Sequence, residues 1–165
     1  MNYNYHYKHI IIGDSLSGKS SYMNKLLYDT FSNDKTTTIG VDFGVLYVTI
    51  NNKTLKNHVW DTAGQETFKS IIRSYYRNSD GCILTIDVTN RKSFENINKW
   101  IDELQLYSNY EKLSVIIIGN KIDLENQRAV SMEEAEELSL KYDIPYIEVS
   151  VKNDINIKRA FYKLI

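Results

Sequence analysis

"IIIGDSLSGKS", residues Ile10 to Ser20, joins three branched apolar residues to a loop of glycines and serines that ends in a lysine. The apolar part, extended back to "YKHIIIG", reads as a buried strand. The residues after it, "GKSSYMNKLLYDTF", read as a helix with Met23, Leu26 and Leu27 on one side. Between them "GDSLSGKS" (Gly13–Ser20) fits G-x-x-x-x-G-K-[ST] in full, with the preceding strand and following helix that the pattern needs. Such a loop curls around phosphate with its N–H groups pointing inward, so it needs small residues. The start of the helix adds unpaired N–H groups and a positive dipole end. In such a loop Lys19 would neutralise β- and γ-phosphate charge, and the Ser20 hydroxyl would bind Mg²⁺. A glycine-rich turn with a surface lysine would explain the small residues but not the full pattern within these flanks.

Short apolar runs alternate with amphipathic stretches along the rest of the chain. "GVDFGVLYVTI" and "KTLKNHVWD" flank Asn51-Asn52, a pair suited to a tight hairpin. "GCILTIDV", "LSVIIIG" and "PYIEVS" read as further strands. "SFENINKWIDELQLY" carries Phe94, Ile97, Trp100, Ile101 and Leu104 at helical spacing, and "INIKRAFYKLI" closes the chain as a helix. "SMEEAEELSLKY" opens on Ser131 with Glu134 three residues later, a capping box. Continuous apolar strands between helices imply a mostly parallel sheet covered on both faces, with the hairpin as an antiparallel edge. The expected class is a three-layer α/β fold of six strands. Such sheets bind ligands at the carboxyl ends of their strands, and every suspicious polar motif here directly follows a strand.

Bulk properties are consistent with that class. A chain of 165 residues suits one domain with a single sizeable core, and 42% hydrophobic with 25% charged residues is ordinary for a globular protein. A net charge of −1 with no basic run offers nothing to nucleic acid. Cys82 is the single cysteine and lies in an apolar run, which points to an inert core thiol in a reducing cytosol. No stretch approaches a membrane span, and Asn2 excludes N-myristoylation.

"GNKID" (Gly119–Asp123) bears on the base. A carboxylate at Asp123 accepts from both guanine N1–H and the 2-amino group; adenine would leave it desolvated and unpaired. Asn120 can bridge N7 and the phosphate loop, and the stem of Lys121 can cover a base face. In "WDTAGQE" (Trp60–Glu66), Asp61 can hold Mg²⁺ through water, the Gly64 N–H can reach a γ-phosphate, and Gln65 can orient an attacking water. "TTTIG" places Thr38 to bring a second hydroxyl to the metal. Taken singly, each motif has a plain alternative as a solvated loop.

In this order the motifs resemble those of a Ras-superfamily small GTPase, over nearly the whole chain. "TIGVDF" (Thr38–Phe43), "WDTAGQETF" (Trp60–Phe68), "SYYR" (Ser74–Arg77) and "DVTNRKSF" (Asp87–Phe94) are most similar to the Rab branch, which regulates vesicle traffic. The resemblance implies the P-loop NTPase fold, a single G domain over residues 1–165, and GTP or GDP held with Mg²⁺. It implies a phosphate cradle from Ser15, Leu16, Ser17, Gly18, Lys19, Ser20 and Ser21, with Lys35 and Gly64 nearby. Phe31, Asn120, Lys121, Asp123, Ser150, Val151 and Lys152 would form the guanine site. Ser20 and Thr38 would hold the metal, with Asp61 in its outer sphere, and Gln65 and Lys19 would be catalytic. Switches at roughly Phe31–Gly40 and Asp61–Arg77 would meet an exchange factor, a GTPase-activating protein and effectors.

Several positions depart from the family pattern. "SVK" (Ser150–Lys152) replaces S-A-K and sets a bulkier valine against the base. Lys35 stands where many members carry an aromatic over the phosphates, and "QETF" and "YYRNS" differ from the usual Rab forms. Residues 1–165 contain no variable tail and no C-terminal cysteine, so the expected location is cytoplasmic, with peripheral membrane association only where a lipidated tail follows. Two other function classes stay open on sequence alone. One is a guanine-nucleotide scaffold that does not hydrolyse, against which Gln65 and Thr38 argue. The other is an ATP-dependent phosphotransferase, against which Asp123 and the lack of a separate lid domain argue.

Overall fold

Ile10, Ile11 and Ile12 are all fully buried, which a strand achieves only when both of its faces are covered. They end β1 (Tyr5–Ile12) in the computed structural model of the chain, which describes residues 2–32, 41–62 and 69–165. Successive side chains on a strand point to opposite faces, and here each face has its own core. Ile11, with Ile83, Ile116 and Ile118, packs under α1 (Lys19–Tyr28) and α6 (Ile157–Leu164). Ile10 and Ile12, with Leu84, Ile86 and Ile117, pack under α4 (Ile97–Tyr107) and beside Tyr76 at the end of α2 (Lys69–Tyr76).

The remaining elements are β2 (Val41–Ile50), β3 (Lys53–Thr62), β4 (Gly81–Asp87), α3 (Arg91–Glu95), β5 (Ser114–Asn120), α5 (Met132–Tyr142) and β6 (Tyr146–Glu148). The sheet runs β2-β3-β1-β4-β5-β6. β1 pairs in parallel with both β3 and β4, β5 is parallel to β4 and to β6, and of these strands only β2 is antiparallel, against β3. This is the expected three-layer fold with one antiparallel edge strand. Asn51 and Asn52 turn the hairpin with φ of 49° and 61°, the left-handed pair that a two-residue turn requires.

Parallel strands share a direction, so the carboxyl ends of β1, β3, β4 and β5 line one rim, carrying Gly13, Asp61, Asp87 and Asn120. β1 sits where the chain first builds outward on one side through β3 and then crosses to β4 on the other, the position at which such sheets open a crevice.

The structure departs from the expected single helix over "SFENINKWIDELQLY". Helix α3 starts two residues earlier, at Arg91, because the Asn90 side chain accepts from Lys92 N–H (3.1 Å) and caps it. The helix then breaks at Asn96, whose ψ of −8° opens the turn before α4 begins. The Asn96 side chain donates to Asp14 in the glycine loop, a tertiary contact that helical periodicity does not register.

Candidate functional site

The loop between β1 and α1 is built on left-handed residues: Gly13 has φ of 139°, Leu16 63° and Gly18 100°. At both glycines a side chain is also excluded by space. A Cβ on Gly13 would lie 2.2 Å from the Thr85 carbonyl oxygen, and one on Gly18 would lie 2.1 Å from Asn120 Nδ2. The backbone can therefore close over its neighbours only with glycine at these positions. Ser15, Leu16 and Ser17 form the loop crest, while Ser20 and Ser21 occupy the first turn of α1.

Lys19 is 5% exposed, and its Nζ donates to the carbonyls of Gly13 (3.0 Å) and Asp14 (2.8 Å), bracing the loop across its own mouth. Burial pushes its ammonium down to about 8, while the charges of Asp61 and Asp14 act in the opposite direction. Ser20 Oγ donates to the carboxylate of Asp61, which is fully buried at the end of β3. The oxygen donors that meet here are the Ser20 hydroxyl and the Asp61 carboxylate, and such donors fit magnesium, a hard ion that keeps much of its water. Among the described residues no group of three or more His, Cys, Asp or Glu side chains gathers.

Asn120 links the loop to the base-side motifs. Its Nδ2 donates to the Ser17 carbonyl (3.0 Å), while its Oδ1 accepts from Lys121 N–H (2.8 Å) and faces Val151 N–H (3.4 Å). Lys121 adopts φ of 72°, and its Nζ reaches Leu16 O (2.8 Å) and Asp87 Oδ2 (2.6 Å). Asp87 is itself oriented by Thr89, whose N–H (2.9 Å) and hydroxyl (2.6 Å) both donate to Oδ1. The buried Ser150 hydroxyl donates to Asp123 Oδ1 (2.6 Å) and so aims the carboxylate expected to read the base. Thus Ser15–Ser21, Asp61, Asn120, Lys121, Asp123, Ser150 and Val151 lie along one rim. Lys152 is exposed beside Val151, and Phe31 is exposed three residues past the end of α1. Lys35, Thr38, Gly64 and Gln65 lie outside the described residues, as do residues 33–40 of the first expected switch and 63–68 of the second.

Val151 is 2% exposed and belongs to the core cluster that includes Tyr22 and Ile157, while its N–H faces Asn120 Oδ1. Two contributors carried no motif role as site residues: Asp14, whose carboxylate partners lie at the start of α4, and Asp87. A charged residue ending the otherwise apolar "GCILTID" was the available hint for Asp87.

Beside the rim, Phe43, 51% exposed, stacks on Trp60 with centroids 4.9 Å apart. Trp60 in turn lies 5.0 Å from the Tyr75 ring, and Lys8 Nζ sits 5.9 Å and 5.7 Å from these two rings. The result is an aromatic patch of residues that border the expected switch segments in sequence or, as Tyr75 does, belong to the second.

Known proteins match the sequence along nearly the whole chain. The Ras family profile matches residues 8–165. Ras-related protein Rab-8A of Bos taurus is 40% identical over 162 residues, 98% of this chain and 78% of the relative. GTP-binding protein YPTM1 of Zea mays is 40% identical over 159 residues, covering 96% of this chain and 76% of that protein. Ras-related protein RABD2c of Arabidopsis thaliana is 42% identical over 159 residues, covering 96% and 78% respectively. A glycine cradle after the first strand, tied through Asn120 to a carboxylate-bearing base loop and matched at this identity over this length, means that the chain belongs to the Ras family of small GTPases, in its Rab branch.

Proposed function

We propose that residues 1–165 form one G domain that binds GTP and GDP with Mg²⁺, slowly hydrolyses GTP to GDP and phosphate, and acts as a Rab-type switch in vesicle traffic. The observation that carries this is the Asn120 side chain. It bonds a loop carbonyl 103 residues away (3.0 Å) while facing the Val151 N–H, so phosphate-side and base-side motifs form one continuous lining.

The residues divide the work by their chemistry. Backbone N–H groups of Ser15–Ser21 and the positive end of α1 take the phosphates. Lys19 supplies the cation within reach of the loop mouth. Asp123, aimed by Ser150, accepts from guanine N1–H and the 2-amino group, and the Lys121 stem packs against a base face. The metal would be held by Ser20 and Thr38 with Asp61 behind, and when bound it supplies charge neutralisation across the β- and γ-phosphates. Gln65 orients a water whose oxygen bonds to the γ-phosphorus as the bond to the β–γ bridging oxygen breaks. The electron pair stays on GDP and the water proton passes to phosphate.

No arginine occurs in Gly13–Ser20 or Thr36–Gly40, so fast turnover requires one from a partner, worth ~10³–10⁵ in rate. The Phe43–Trp60–Tyr75 patch supports docking of such regulators and of effectors at the switches. Among the described residues no helix is long and apolar enough to cross a membrane; membrane association would need a lipidated tail. Single-turnover cleavage of GTP tests the proposal. Gln65→Leu should bind GTP like the parent yet cleave it far more slowly, with or without a GTPase-activating protein; undiminished cleavage removes Gln65 from catalysis.

A further inference from the structure

Asp14 puts a carboxylate at the mouth of a loop built for anions. Among the described residues no cation bonds its side chain: Oδ2 accepts from Asn96 Nδ2 (2.6 Å) and Oδ1 from Trp100 Nε1 (2.8 Å), two neutral donors at the start of α4. Lys19 Nζ instead meets the Asp14 carbonyl, at 2.8 Å. The carboxylate also lies at the N-terminal end of α4, an eleven-residue helix whose cap Asn96 spends its side chain on Asp14 rather than on the helix. The positive end of the helix dipole therefore faces a negative group. The break between α3 and α4 falls at the residue that makes this contact.

Without those two donors, a carboxylate one residue from Ser15 would stand free in the loop that the nucleotide reading assigns to phosphate. Like charges at such range in a partly buried site repel appreciably. We propose that Asn96 and Trp100 form a clamp on Asp14 that sets how long a nucleotide stays bound. Asp14 is a positioning residue: it holds the Gly13 and Asp14 carbonyls where Lys19 meets them and keeps its own charge off the phosphates. The clamp presupposes the nucleotide site proposed above. Its helix also borders the second expected switch, since Arg73 of α2 lies 4.6 Å over the Tyr107 ring and the Tyr76 hydroxyl donates to Glu103 (3.3 Å).

Release of a preloaded fluorescent GDP analogue, chased by excess GDP, tests the clamp in the parent, Trp100→Phe, Asn96→Ala and Trp100→Phe/Asp14→Asn, with thermal unfolding confirming that each is folded. Losing one hydrogen bond to a charged acceptor should speed release about tenfold in either single variant. The double variant should return toward the parent rate. The charge that the clamp restrains is then gone, while the amide oxygen introduced at position 14 can still accept from Asn96. A merely structural contact predicts the opposite, a double variant as fast as or faster than Trp100→Phe. That result, or unchanged release in both single variants, overturns the clamp. A parent that loads no guanine nucleotide overturns the nucleotide site itself, a different failure visible before any variant is made.

Discussion

Lys19 illustrates how far one residue's environment sets its chemistry. Its ammonium is buried against the carbonyls of its own loop, and burial brings its pKa to about 8 against the opposing charges of Asp61 and Asp14. A bound phosphate favours the charged form, so it raises that value, and binding takes up a proton wherever the pH lies above about 8. Affinity for GDP should therefore be at its full value below pH 8 and fall by up to about tenfold per pH unit above it. Titrating a fluorescent GDP analogue from about pH 7 to 9 checks this; a flat profile would show that the Lys19 charge does not contribute. Asp123 carries the second residue-scale prediction. Asp123→Asn replaces one acceptor with a donor, matching xanthine rather than guanine, and should lose GTP affinity by about a hundredfold or more while gaining XTP affinity. Competition binding with GTP, XTP and ATP decides it, and an unchanged order of preference would place the base elsewhere.

At the scale of elements, stability and function separate. Helix α5 starts on a complete capping box: Ser131 Oγ accepts from Glu134 N–H and Glu134 Oε2 accepts from Ser131 N–H, both at 3.1 Å. Ser131→Ala should lower unfolding free energy by about 1 kcal/mol and leave nucleotide release unchanged, since α5 contributes nothing to the rim; altered release would mean that the helix feeds the site. Val151 behaves as part of an element too. Because Val151 is buried in the core cluster that includes Tyr22 and Ile157, Val151→Ala should cost roughly 1–2 kcal/mol by leaving a small cavity. Chemical denaturation measures this, and a loss below a few tenths of a kcal/mol would mean that the core closes over the gap.

For the molecule as a whole, the site spans motifs more than a hundred residues apart, so a ligand that bridges them should stabilise the fold as a unit. A ligand binding only the folded state adds about 2.7 kcal/mol at a hundred times its dissociation constant. GDP with Mg²⁺ should raise the melting temperature by several degrees, whereas ADP with Mg²⁺ should raise it little because Asp123 is left unpaired. Equal shifts from the two nucleotides would show that phosphate contacts alone carry the binding.

Much of this architecture is written in local chemistry. Glycines needing left-handed φ, apolar triplets without polar alternation, an Asn-Asn turn and a Ser–Glu cap each depend on residues a few positions apart. Strand positions, helix starts and the glycine loop between β1 and α1 follow from such short-range constraints, and the motifs that hold Lys19, Asp61, Asn120 and Asp123 are legible as short patterns at strand ends. Contacts between distant segments follow a different logic. Asp14 meets Asn96 and Trp100, 82 and 86 residues further on; Lys121 reaches Asp87, 34 residues back. Whether Val151 faces a base or the core depends on how α1 and α6 close over it. Nothing in a short window encodes these outcomes, because they arise only when packing of the two cores fixes where each element's end lies against the others. Short-range chemistry thus specifies the fold class, the glycine loop and the motifs that end the strands, and packing between distant elements supplies what holds that loop in place.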